Sequence, residues 1–154
     1  PLVNMRGELV GINTAIASGS GGNDGIGFSI PINMAMRVAS QLLENGTVVR
    51  AYLGVHLDVK FSTDTAQRLG LPRPEGARVT QITSDSPAAL AKLQIDDVIL
   101  EFDGQKVDDD NHLVNLVSLT PVGKEVAVVV YRKGSRATVM LKVTEREKFE
   151  SLPR

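Results

Sequence analysis

Residues 95–107 read Ile95-Asp96-Asp97-Val98-Ile99-Leu100-Glu101-Phe102-Asp103-Gly104-Gln105-Lys106-Val107. Val98 to Phe102 is an extended apolar run, and Asp103-Gly104 is the strongest short-range hairpin signal. A two-residue turn that matches strand twist needs positive φ at its centre, which Asp and Gly tolerate. Gln105-Lys106-Val107 is then the returning strand. Moving toward the N-terminus, Ser86-Pro87-Ala88-Ala89-Leu90 places a capping Ser before a first-turn Pro, so a short helix is expected. Ala77 to Ile82 reads as a strand. Thr65 to Leu69 reads as a short helix after the cap candidates Ser62 and Thr63, stopped by Gly70. Tyr52 to Val59 reads as a strand interrupted early by Gly54. Moving toward the C-terminus, Asn111 to Leu119 has a helical period, with Leu113, Leu116 and Val117 on one face. Asp108, Asp109 and Asp110 sit favourably near its N-terminus. Val126 to Tyr131 and Ala137 to Val143 pair across Lys133-Gly134. The sum is five or six short strands with two or three short helices, a small α+β barrel.

The first 47 residues follow another pattern. Met5-Arg6-Gly7-Glu8 is turn chemistry, and Leu9-Val10-Gly11-Ile12 resumes an extended run. Ala17 to Gly25, rich in Gly, Ser, Asn and Asp, is a loop, and Ile26 to Ile30 returns to a strand. Ile32, Ala35, Met36, Ala39, Leu42 and Leu43 then trace one face of a helix, with Pro31 at its start and Gly46 as a stop. Such a segment is too short to enclose a core of its own. Its strands and helix are therefore expected to be disordered, or docked on another chain through this orphaned N-terminal segment.

Composition narrows the function classes. The 154 residues are 42% hydrophobic with a net charge of −1, which supplies no concentrated basic face for nucleic acid. No apolar run approaches the roughly 20 residues that span a bilayer, and no signal peptide is expected among these residues. A start at Pro1 is read as a trimmed piece of a longer protein. The absence of cysteine excludes disulfides, a thiol nucleophile and thiolate metal sites. Gly19 to Gly27 lacks the Gly-Lys-Ser/Thr ending of a phosphate-binding loop. Asp108-Asp109-Asp110 with His112 lacks the alternation of a calcium loop, and charge at a helix start explains it. Neither a metal nor a cofactor is expected.

Tyr52-Leu53-Gly54-Val55, Ser84-Asp85-Ser86-Pro87-Ala88 and Ile95 to Gly104 together resemble the carboxylate-binding loop and the central hairpin of PDZ domains, in the permuted order of bacterial proteases. Three further runs resemble the end of the protease domain of HtrA/Deg serine proteases. They are Pro1-Leu2-Val3-Asn4, Gly7-Glu8-Leu9-Val10-Gly11-Ile12-Asn13-Thr14-Ala15-Ile16, and Gly25-Ile26-Gly27-Phe28-Ser29-Ile30-Pro31. The resemblance implies a remnant of a trypsin-like β-barrel lobe over 1–47. It implies a PDZ-like, partly open barrel over 48–146, followed by a charged tail over 147–154. It also implies a bacterial periplasm or cell envelope, and a parent serine endopeptidase in protein quality control. In that family the nucleophile would just precede Pro1, and the catalytic His and Asp would lie far upstream. This chain is therefore expected to hold no catalytic residue and not to hydrolyse peptides alone. His56 and His112 fall within the PDZ span.

The same resemblance implies where ligands bind. Tyr52, Leu53, Gly54 and Val55 would capture a peptide carboxylate, with Gly54 letting the loop turn its amides inward. Leu57 and Val59 would follow the bound peptide strand, and Leu113, Leu116 and Val117 would wall the pocket for its last side chain. His112 would bond a ligand Ser or Thr, or be a half-exposed residue at a helix start; His56 is read as a solvated strand residue. Asn13, Thr14, Ala15 and Ile16 would be the remnant of a substrate-pairing strand. Expected partners are peptides or unfolded proteins with hydrophobic C-termini. An assembly scaffold without enzymatic role is the alternative, as is the C-terminal product of an intact protease.

Overall fold

A computed structural model of the chain describes residues 1–19, 21–22 and 24–146; the tail expected over 147–154 lies outside the described residues. The chain divides into two compact units, 1–48 and the residues from 49 onward.

In the first unit, β1 (Leu2–Val3) and β2 (Leu9–Ala17) flank the expected turn, and β3 (Ile26–Pro31) completes an antiparallel sheet of order β1-β2-β3. Helix α1 (Ile32–Asn45) follows directly and ends at Gly46, whose φ of +71° and N–H bond to the Leu42 carbonyl form a left-handed cap. The unit thus has regular structure rather than disorder, the first of the two expected outcomes, because ladder bonds and a capped helix form locally. The expected lack of burial is visible all the same. No residue of α1 is buried, and Phe28, Ile12, Ile16, Met36 and Leu43 are exposed.

In the second unit the chain runs β4 (Ala51–Tyr52), β5 (Val55–Leu57), α2 (Thr63–Arg68), β6 (Ala77–Ile82), α3 (Pro87–Leu90), β7 (Val98–Phe102) and β8 (Gln105–Lys106). It continues with α4 (Asp110–Ser118), β9 (Glu125–Arg132), β10 (Ser135–Lys142) and β11 (Thr144–Glu145). The main sheet has the order β10-β9-β7-β6-β5, with β8 paired to β7, and β11 pairs β4 in a separate ribbon. The sheets stay open, and the strands outnumber the five or six expected. Gly54 splits one expected strand into β4 and β5, and Thr144–Glu145 add β11. The three helices carry side-chain N-caps at Ser62, Ser86 and Asp109.

β7 explains the packing. As an inner strand it is covered on both faces, so Val98, Ile99 and Leu100 read as an unbroken apolar run, with only Glu101 partly open before Phe102. Ile99 and Phe102 join Val79, Leu113, Val126, Val128 and Val130 in the main core, while Val98 and Leu100 pack with Ala66 and Leu71 beneath α2. Asp97, buried just before β7, accepts two bonds from the Arg132 guanidinium (2.7 and 2.6 Å) and one from the Gln94 N–H. That pairing answers the burial cost of its charge, and the bond to Asp97 holds the Arg132 pKa above its ordinary value. Among the described residues no helix is long and apolar enough to cross a membrane.

Candidate functional site

β5 is the outer strand of the main sheet, bonded on one side to β6 alone. Along a strand, residues two apart share a face. Val55 and Leu57 accordingly turn to one side while His56 between them is exposed. Facing them, Leu113, Val114, Val117 and Ser118 of α4 form the opposite wall of a groove of about 210 Å³. Arg50, Ala51, Tyr52, Leu53, Gly54 and Arg146 complete its lining.

The closed end of the groove is the turn from β4 to β5. Gly54 has a φ of +84°, and a Cβ there would fall on the Cβ and Oγ of Ser86. Only glycine fits, for both reasons at once. Ser86 is itself buried and fixed as the N-cap of α3. The loop's carbonyls are spoken for: Leu53 O accepts from Ala88 N–H (2.9 Å) and Gly54 O from Thr83 N–H (2.8 Å). No peptide bond among the described residues is cis, and a trans peptide points its N–H opposite its C=O. The amides of Gly54 and Val55 are therefore turned away from the α3 side of the loop. Tyr52 is held by a 3.0 Å hydrogen bond between its hydroxyl and Thr83 Oγ1.

Of the residues expected at the site, the groove collects Tyr52, Leu53, Gly54, Val55, Leu57, Leu113 and Val117. Leu116 is buried in the core instead. Val59 lies past the end of β5, exposed, beside a separate depression with Phe61, Pro74 and Asp108 to Asp110. His112 sits in the first turn of α4, its Nδ1 accepting from the Asp108 N–H at 3.3 Å and its own N–H bonded to Asp109 Oδ1. It does not line the groove. Sequence reasoning missed Val114 and Ser118, although their i, i+4 spacing was available. It also missed Arg50 and Arg146, for which no local pattern exists. In the first unit, Asn13, Thr14, Ala15 and Ile16 lie within β2, where a register shift between Asn13 and Ala15 leaves Thr14 outside the Cα pairing, with its hydroxyl donating to the Phe28 carbonyl on β3. Asn13 Oδ1 accepts from Ser29 Oγ. No group of acidic or histidine residues among those described could hold a metal ion.

An edge strand facing a helix across an apolar groove, closed by a glycine turn, is an arrangement with a known counterpart. The family model described as "PDZ domain" matches residues 51–143. The chain belongs to the PDZ domain family. The PDZ domain and the segment before it are together similar to proteins named "Probable periplasmic serine endoprotease DegP-like". The Halomonas elongata relative is 41% identical over 143 residues, and the Pseudomonas fluorescens relative 43%; each match covers 93% of this chain. The chain spans only 30% of the length of either relative. Among solved structures, "HtrA-type protease AlgW with tripeptide" superposes with a TM-score of 0.75 at 39% identity, covering 94% of this chain and 48% of that one. "HtrA-type protease AlgWS227A with decapeptide" gives 0.73 at 38% identity, covering 98% and 46%.

Proposed function

We propose that this chain is the peptide-recognition part of a periplasmic serine endopeptidase of HtrA/Deg type, and that its PDZ domain captures free, hydrophobic C-termini of peptides or unfolded proteins. The single observation that carries this reading is the groove itself, with the open edge of β5 on one side, apolar α4 side chains on the other and the Gly54 turn at its end. A peptide laid along β5 satisfies its backbone groups as an added strand. Its terminal carboxylate meets the amides of Leu53, Gly54 and Val55, and its last side chain enters between Val55, Leu113 and Val117. The solved relatives named with bound peptides support the same reading, and the relatives' names support the compartment. Peptide hydrolysis then belongs to residues outside this chain. Neither His56 nor His112 is proposed as a catalytic base, since His112 is engaged in the α4 cap with Asp108 and Asp109.

The test is nuclear magnetic resonance of the chain titrated with a peptide ending in valine. The amide signals of Leu53, Gly54 and Val55 should move furthest, together with those of β5. Largest shifts anywhere else, with this loop unmoved, would rule the reading out.

A further inference from the structure

The bonds made along β5 fix which of its residues a bound peptide would meet. Gly54 O accepts from Thr83 N–H, His56 O accepts from Thr80 Oγ1 at 3.1 Å, and Asp58 N–H donates to Arg78 O at 3.0 Å. These alternate residues direct their main-chain groups toward β6. Main-chain direction reverses from one strand residue to the next, so Val55 and Leu57 direct theirs toward the open edge. A carboxylate held at the Gly54 turn lies at the N-terminal end of β5, so the peptide runs antiparallel to the strand. Its last residue then pairs with Val55 and its third-last with Leu57, both side chains entering the groove. The penultimate residue falls opposite His56 in a non-hydrogen-bonded pair, the closer of the two kinds, and its side chain leaves on the face away from the groove. His56 is exposed on that face, and no hydrogen bond or ion pair among the described residues engages its ring. Its neighbours there are neutral or committed: Gln81 lies opposite on β6, and Asp58, next along the same face, accepts from Arg78 Nη1 at 2.7 Å.

We propose that His56 is a specificity-determining residue of this site, favouring peptides whose penultimate side chain carries a carboxylate. The proposal rests on the reading of this groove as a site for free C-termini. An imidazole offers a ring N–H in either neutral tautomer, and a side-chain carboxylate is an acceptor with no competing donor. Hydrogen bonds to an ionised acceptor are the stronger kind. Cross-strand partners stand about 4.5–5.5 Å apart at Cβ, within reach of a glutamate. The groove thus selects apolar side chains at the last and third-last positions, and His56 selects the acidic one between them. Because His56 is exposed and its side chain holds no neighbour, changing it leaves the strand in place.

The test is a double-mutant cycle by calorimetric titration of the full chain and its His56→Ala variant. Each is titrated with three free-acid peptides of one sequence ending in valine. The first has alanine at both preceding positions, the second glutamate at the penultimate position, and the third glutamate at the third-last. Wild type should bind the penultimate-glutamate peptide about twofold to fivefold more tightly than the alanine peptide, and His56→Ala should lose that preference. His56→Gln, which keeps a donor, should recover part of it. Glutamate at the third-last position, facing the apolar groove, should weaken binding to the same degree with and without His56. Equal wild-type affinities for the penultimate-glutamate and alanine peptides, a preference that survives in His56→Ala, or a His56-dependent effect at the third-last position would overturn the proposal while leaving the groove as a peptide site. If wild type binds none of the three peptides, the reading of the groove fails first and the role of His56 with it.

Discussion

Strands β2 and β9 are both long and both rich in apolar residues, yet they end in opposite situations. β9 buries Val126, Val128 and Val130 on one face, whereas in β2 the only buried residue is Gly11. The same contrast holds between helices: α4 buries Leu113, Leu116 and Val117, and α1 buries nothing. Periodicity fixes which face of an element needs cover, and it says nothing about whether the cover is in the chain. The residues from 49 onward close a core around β7, while the first unit leaves its apolar faces exposed.

This contrast can be broken or sharpened by substitution. The largest effect is expected for Phe102→Ala, which empties a fully buried position and should cost about 3–5 kcal/mol. Urea unfolding followed by tyrosine fluorescence reads it, since both tyrosines, Tyr52 and Tyr131, lie in the PDZ unit. Next comes Asp97→Ala, which strands Arg132; with that side chain partly open to water, the loss should be about 2–3 kcal/mol in the same experiment. Gly54→Ala should cost about 1–2 kcal/mol from the positive φ and the encounter with Ser86. It should also weaken free-carboxylate peptides at least about tenfold, beyond what stability explains. The smallest effect belongs to Phe28→Ala, exposed in β3, which should stay within about 0.5 kcal/mol by far-ultraviolet circular dichroism. A loss there as large as for Phe102→Ala would mean that the first unit owns a core after all.

Much of the PDZ unit was legible because its punctuation is chemical. Asp103 and Gly104 both have positive φ, as their hairpin turn requires, and Ser62, Ser86 and Asp109 cap the helices that follow them. The groove was legible in part. Leu53, Gly54, Val55, Leu57, Leu113 and Val117 converge there. Leu116 was assigned to the same wall, but on a nine-residue helix an apolar stripe is wide enough to serve two neighbours, and Leu116 turns to the core. Val59 was carried along by the assumption that β5 continues; the strand stops at Leu57. The β4–β11 ribbon left no trace, since two residues at each end of a domain carry no periodicity, and with it Arg50 and Arg146 were missed.

The most direct measurement is the affinity of the unmodified chain for one hydrophobic peptide with its C-terminus free and with the same C-terminus amidated. Capture of the carboxylate by the Leu53–Val55 amides should make the free acid bind at least about tenfold more tightly. Equal affinities would contradict carboxylate capture and leave strand addition along β5 as the whole of recognition.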